Sequence, residues 1–298
     1  MRKVHVKYTY SLFFSLLIFL GACSSPSQDP LRISATTWIG YTPLFYAKEK
    51  GWLERINTKL INVVSLSENM YLYKAGNSDA YCGTQYEHSV LKNTVPSLIP
   101  IMLFDRSNGG DIIMSNHTIE ELKNSTSKID AYLEMDSINY TILEDFIHSY
   151  HIDEKRINYI DRDQIDISTL KNTQPEKQVL IITYIPYDSA LKKNGFKEIL
   201  STKNGLDLLV IDALYATEES FHKHKRQYTQ VKTFIDDAIM ALSRDPKEFY
   251  TTIKPYMEDL SYEDFLSSLD DIIWINSTID ETLMERMRTA SFPTKDLL

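Results

Sequence analysis

Leu31-Arg32-Ile33-Ser34-Ala35-Thr36, then Trp38-Ile39-Gly40, then Thr42-Pro43-Leu44-Phe45-Tyr46-Ala47-Lys48-Glu49-Lys50-Gly51 decide the fold. The first piece alternates and is β-rich, which predicts a strand. The last predicts a helix, with Thr42 at its N-cap, Pro43 in its first turn and Gly51 past its end. The same unit recurs downstream. Strands are predicted at 60–64, 79–82, 98–104, 111–114, 128–133, 157–160, 179–184 and 208–211. Between them lie helices through Tyr71 and Lys74, stopped by Gly76, and over 85–92, 118–122 and 138–150. Strand and helix alternating across short connections imply a parallel sheet covered on both faces. The tail differs. Residues 229–243 place Val231, Phe234, Ile235, Ala238, Ile239 and Leu242 on one helical face, and Ser261 with Asp264 predicts a capped helix running through Leu266, Leu269, Ile272 and Ile273.

Composition narrows the class. The chain has 298 residues, 43% hydrophobic and 24% charged, with only 9 glycines and 10 prolines. That is an ordinary globular balance and excludes a disordered or fibrous chain. Net charge is −9, and it becomes −12 without the first 22 residues, because Arg2, Lys3 and Lys7 go with them. Such a surface argues against nucleic acid and anionic lipid headgroups as partners.

The amino end reads as an address. A basic flank over 1–7 precedes the apolar run Ser11-Leu12-Phe13-Phe14-Ser15-Leu16-Leu17-Ile18-Phe19-Leu20, too short to span a bilayer as a helix. It ends in Leu20-Gly21-Ala22-Cys23, which resembles the bacterial lipobox. The resemblance implies a signal peptide over 1–22, acylation of Cys23 and a polar tether over 23–30. Several acyl chains on one residue anchor stably. Ser24 after the cysteine leans toward the outer membrane over the inner one. With Cys23 lipidated only Cys82 remains, so no intramolecular disulfide is available, and its strand-like surroundings make it a small core residue.

Four stretches then resemble the substrate-binding proteins of ABC importers of the nitrate, sulfonate, taurine and thiamine-precursor group. They are Trp38 to Leu53, the run Tyr73-Lys74-Ala75-Gly76-Asn77-Ser78-Asp79-Ala80, the run Asp105-Arg106-Ser107-Asn108-Gly109-Gly110-Asp111, and Thr183-Tyr184-Ile185-Pro186 paired with Ile211-Asp212-Ala213-Leu214. The departures are Gly110 for alanine, Ile185 for glutamate, and Met135-Asp136-Ser137 where a glycine-rich turn is expected after Glu134. The resemblance implies an α/β, two-lobe periplasmic-binding-protein-like fold of type II. Each lobe is expected to be a mainly parallel sheet flanked by helices, with a helical C-terminal part. Lobe 1 would take 31–105 and the return over 206–298, and lobe 2 would take 106–205, with crossings near 105–111 and 201–208.

The ligand-binding candidates follow from that cleft. Trp38 and Tyr41 come after the first strand, at the edge where ligands of open α/β sheets bind, and either stack on a ligand or pack the helix below. Thr84 and Glu87 open a helix, where Glu87 either selects a cation or complements the helix dipole. Asp105, Ser107, Asn108 and Asp111 sit on the first crossing, to bond a ligand or to serve the turn. Glu134 is the candidate for a contact across the cleft. Tyr184 and Asp212 follow buried strands and are either cleft or structural residues. His222-Lys223-His224-Lys225-Arg226 reads as a solvated loop, and no cofactor fingerprint or metal-ligand spacing occurs.

The function implied is a lipid-anchored solute-binding protein that delivers a small molecule to an ABC permease from the periplasm-facing cell envelope. An alternative with the same residues is the ligand-binding subunit of a membrane sensor. A thiamine-precursor enzyme is the weakest reading, since the mature chain retains one cysteine. The recognised segments hold little positive charge beyond Arg106, so the ligand leans toward a neutral or cationic heterocycle.

Overall fold

The computed structural model describes residues 29–298, apart from 207, 258–259, 277–278, 280, 290–291 and 294–296. Cys23, the expected lipidation site, and the expected signal segment lie outside the described residues. Leu31 to Leu298 form one compact unit. In chain order the elements begin with β1 (Leu31–Ala35), α1 (Thr42–Glu49), β2 (Thr58–Asn62), α2 (Leu66–Lys74), β3 (Ala80–Thr84), α3 (Gln85–Lys92) and β4 (Leu98–Ser107). They continue with β5 (Asp111–Ser115), α4 (Ile119–Asn124), β6 (Ile129–Leu133), α5 (Ile138–Tyr150), β7 (Ile157–Asp161), α6 (Gln164–Ser168), β8 (Gln178–Tyr184), α7 (Asp188–Lys193) and β9 (Lys197–Ser201). Last come β10 (Ile211–Thr217), α8 (Glu218–Arg244), α9 (Pro246–Ile253), α10 (Tyr262–Ser268), β11 (Ile272–Trp274) and α11 (Glu281–Thr289).

Two sheets result, ordered β11-β4-β10-β3-β1-β2 and β7-β6-β8-β5-β9. The chain passes from the first to the second between Ser107 and Asp111, and returns between Ser201 and Ile211. Both sheets are mixed rather than mainly parallel. β1, β2 and β3 pair in parallel, as do β6, β7 and β8, but β10 and β5 run against their neighbours. The reason is geometric. β5 and β10 are the strands that arrive from the other sheet, so each enters at the edge where its neighbours end.

Local chemistry fixes the helix starts around the cleft. Ser65 and Ser137 cap α2 and α5 by accepting from the amides of Glu68 and Asn139, and Thr84 with Glu87 forms a capping box on α3. Each cap contributes about 1 kcal/mol. α1 begins one residue earlier than expected: Tyr41 is its N-cap, and the Thr42 hydroxyl bonds back to Ile39.

Three other expectations are corrected. Residues 208–210 belong to the return crossing, and the strand starts at Ile211. The basic run 222–226 lies within α8, where His224 is buried on Gln227 at a kink. A helix carries one charged face without becoming a loop. The helix from Tyr262 ends at Ser268, because Ile272–Trp274 joins the first sheet as β11 beside β4. α8 and α9 close the first sheet over α1, with Tyr46 stacked on Phe249 at 4.6 Å.

Candidate functional site

The two sheets meet through their strand ends. Across the first sheet, Thr84, Asp212 and Asp105 stand in one row, from β3 through β10 to β4. Across the second, Asp111 at the start of β5 faces Tyr184 at the end of β8. β6 delivers Glu134 just beyond Leu133. Five carboxyl groups, those of Glu87, Asp105, Asp111, Glu134 and Asp212, thus converge on one buried region.

Each of the five has a distinct set of partners. The Trp38 indole donates to both oxygens of Asp105, at 3.2 and 3.4 Å, and the Tyr41 hydroxyl donates to Asp212. Asp111 has only Ser107 nearby: that hydroxyl partly offsets the burial of the carboxyl and accepts from the Asp111 backbone amide at 3.1 Å, while Asp111 Oδ2 is buried and unpartnered. Glu87 and Glu134 reach across the cleft. Glu87 Oε1 accepts from the amide of Ile138, the first residue of α5, at 3.0 Å, while its Oε2 holds Thr84. Glu134 Oε2 accepts from the amide of Leu66, the first residue of α2, at 3.2 Å, and its Oε1 is unpartnered. Each sheet therefore sends one glutamate onto a helix start of the other. The first amides of a helix have no partner within it, and each glutamate satisfies one of them.

The electrostatics are lopsided. Burial pushes every one of these carboxyls above its usual range, and their mutual repulsion adds to it. Burial brings Glu134 up to about 8 and Asp111 up to about 7, with the Glu87 charge contributing to both. Burial also raises Asp105 and Asp212 well above the ordinary carboxyl range, and Asp105 repels Asp212 from the facing strand. Glu87 is raised less, because the Thr84 and Ile138 donors offset its burial.

Between these groups lies a cavity of about 10 Å³, lined by Thr36, Trp38, Leu66, Thr84, Asp111, Ile138, Tyr184, Val210 and Asp212. It has room for about one water molecule. The cleft is closed: Thr37 meets Tyr187 at 3.0 Å, and the Trp38 and Tyr184 rings meet edge-on at 6.0 Å. Two larger hollows open elsewhere, one of about 460 Å³ outside α3 and one of about 350 Å³ at the rim, lined by Ser65, Ser67, Glu134, Asp161, Arg162, Asp163 and Asp166. The small one matters most, because the strand ends and helix starts of both sheets converge there.

Of the sequence candidates, Trp38, Thr84, Tyr184 and Asp212 line the cavity, with Asp111 beside them. Tyr41, Glu87 and Asp105 stand behind them as hydrogen-bond partners, and Glu134 links the cavity region to the rim hollow. Ser107 and Asn108 do not line it. The Ser107 hydroxyl pairs with that of Thr202 at 2.7 Å and ties the two crossings together, while the Asn108 amide donates to the Asp271 carbonyl and ties the first crossing to the segment before β11. Thr36, Leu66, Ile138 and Val210 were not anticipated. Thr36 alone carries a signal, as the polar residue just past β1 and two before Trp38. Gly110 has a specific role, since a Cβ there would come within 2.3 Å of the Trp38 ring. Cys82 is fully buried and burial keeps its thiol protonated. Among the described residues no group of three or more His, Cys, Asp or Glu side chains is placed to hold a metal ion.

No family model matches the chain, and no curated protein matches it by sequence. Solved structures do. The zinc-bound ligand-binding component of an ABC-type import system from Staphylococcus aureus superposes with a TM-score of 0.70 at 14% identity, over 88% of this chain and 90% of that one. The alkanesulfonate-binding protein SsuA from Xanthomonas axonopodis pv. citri, bound to MOPS, gives 0.70 at 14%, over 90% and 92%. The periplasmic nitrate-binding protein NrtA from Synechocystis gives 0.62 at 10%, over 81% and 70%. At these identities the likeness establishes the architecture, and this chain has the two-lobe α/β fold of the binding components of ABC import systems.

Proposed function

We propose that this protein is a lipid-anchored solute-binding protein of the bacterial cell envelope. Residues 31–105 and 206–298 form one lobe and 106–205 the other. They close over a small molecule, and the closed form hands it to an ABC permease. Cys23 carries the lipid and residues 23–30 tether the binding unit to the membrane. The ligand contacts are Trp38, Thr84, Asp111, Tyr184 and Asp212 on the cavity wall, with Glu134 at its edge. One observation carries this reading: strand ends and helix starts of both sheets converge on a narrow cavity beside which polar groups of Thr36, Asp111 and Tyr184 lack partners. Buried polar groups without partners are costly, and a ligand would satisfy them.

The test is native mass spectrometry of the full-length chain purified from its own envelope. A bound small molecule, lost on denaturation and absent from Trp38→Ala, is the expected result. A chain that never carries one, and whose deletion leaves solute uptake unchanged, overturns the proposal. Cys23→Ala should move the chain from the membrane fraction to the soluble fraction.

A further inference from the structure

The ligand class can be read from what already occupies the cleft. An anion entering a cleft of this design would be met by helix amides. Here the first amides of α2 and α5 are already taken by Glu134 and Glu87 from the opposite lobe. The Glu68 and Asn139 amides of the same helices go to Ser65 and Ser137. An anion would have to displace two carboxyls and then sit among three more. No Lys, Arg or His lines the cavity to receive it.

Around the cleft the unpartnered carboxyl oxygens are acceptors, while one unpartnered donor, the Asn139 amide nitrogen, lies on α5. Asp111 Oδ2 and Glu134 Oε1 are pure acceptors when ionised, and the Thr36 and Tyr184 hydroxyls can accept as well. Asp111 is 4% exposed and Glu134 1%. The Trp38 and Tyr184 rings line the cavity with Asp111, and aromatic rings suit a cation too. A second, separate feature points the same way. Glu134 also borders the rim hollow, whose remaining charged residues are Asp161, Asp163, Asp166 and the lone Arg162. A cleft mouth lined mainly by one sign of charge concentrates ligands of the other sign.

The geometry points to a small organic cation carrying N–H donors as the ligand, drawn in past Asp161, Asp163 and Asp166 and held between the carboxyls of Asp111 and Glu134. This rests on the solute-binding reading and adds the ligand's charge to it. A guanidinium or amidinium suits the site better than a quaternary ammonium, because carboxylates accept paired N–H bonds. Binding replaces the protons that the buried carboxyls otherwise hold, so capture releases protons.

The experiment is isothermal titration of the full-length chain, with methylguanidine, benzamidine and putrescine as cations, methanesulfonate and nitrate as anions, and uracil as the neutral probe. At least one cation is expected to bind, tenfold or more tighter at pH 8 than at pH 6. The groups facing the site are Glu87, Asp105, Glu134, Tyr184 and Asp212, together with Asp111 itself, and at the rim Asp161, Arg162, Asp163 and Asp166. All but Arg162 are acids, so none reverses that direction. Asp111→Asn, nearly isosteric, should weaken the cation at least thirtyfold while its unfolding midpoint at pH 5 stays within a few degrees of the parent. Asp166→Lys, at an exposed rim position, should slow cation association several-fold at low salt and not at high salt. Tighter binding of methanesulfonate, nitrate or uracil than of every cation overturns the inference and leaves solute binding standing. So does a cation whose affinity is indifferent to pH and to Asp111→Asn. Failure of all three cations also overturns it, and the solute-binding reading then stands or falls on the co-purified molecule.

Discussion

Raising the pH should part the two lobes. Asp111 shifts from 3.8 to about 7 and Glu134 from 4.5 to about 8, both chiefly through burial in the sealed cleft. At about 1.4 kcal/mol per unit, ionising them there costs about 4 kcal/mol for Asp111 and about 5 for Glu134, as upper bounds, because Glu87 repels both. These are acids with raised values, so they favour the sealed state fully at low pH, where they are protonated whether the cleft is open or closed. That advantage drains away as the pH climbs above the ordinary carboxyl range and is fully lost once it has passed about 7 and about 8. Separation of the lobes restores water to both groups, so the loss appears as opening before it appears as unfolding. Between pH 5 and 7 the closed form holds about two more protons than the open one, and its advantage falls by up to about 2.7 kcal/mol per pH unit, roughly a hundredfold in the closed-to-open ratio. The amides of Leu66 and Ile138 report the change directly, because each is protected only while a glutamate of the other lobe covers it. Hydrogen exchange at those two amides, corrected for the intrinsic rate, should show protection falling steeply from pH 5 to 9. The Asp111→Asn, Glu134→Gln double variant should flatten the profile. Constant protection across that range, or an unchanged profile in the double variant, would refute the reasoning.

Gly110→Ala brings a methyl group against the rigid Trp38 ring and should weaken ligand capture at least tenfold, read by titration, with an unfolding midpoint close to the parent's because the strain is relieved by opening. Tyr41→Phe removes the donor to buried Asp212 and should destabilise the chain by about 1–3 kcal/mol in urea denaturation; an unaltered midpoint would mean that Asp212 has another partner. Thr202→Val severs the hydroxyl contacts to Ser107 and the Gly109 amide, and should cost about 1–2 kcal/mol while increasing exchange at the two crossings. An unchanged exchange rate there would show that the crossings are held by other contacts.

Sequence reading captured the parts of the fold with strong periodicity and missed those held by long-range pairing. The helix over 138–150 and the helix over 85–92 match their observed bounds, because a capping serine or threonine and a regular apolar stripe sit in one short window. β9, α6 and α7 are five or six residues long and passed unnoticed, since so short a segment carries little periodic signal. Residues 208–210 look like a strand because they are apolar, yet they pack at the crossing, where Val210 helps to line the cavity. Within the site, residues with recognisable chemistry stood out: Trp38, Thr84, Tyr184 and Asp212. The latch formed by Glu87 and Glu134 was half visible. Each glutamate was singled out, but its partner is a backbone amide on the opposite lobe, and sequence does not distinguish one amide from another.

The interleaving of β5 and β10 also dictates an order of assembly. The second sheet is drawn from one uninterrupted stretch, Asp111 to Ser201, and lacks nothing once that stretch has emerged. The first sheet has a gap between β3 and β4 that only β10 can fill, and β10 begins at Ile211. A chain threaded through a membrane amino end first therefore holds its earliest strands incomplete, with the edges of β3 and β4 unpaired, until the later sheet has passed through. Unpaired strand edges invite pairing with other chains. Under the export proposed above, any factor that guards the chain has to protect the amino-terminal half for longest, although that half is the first to arrive.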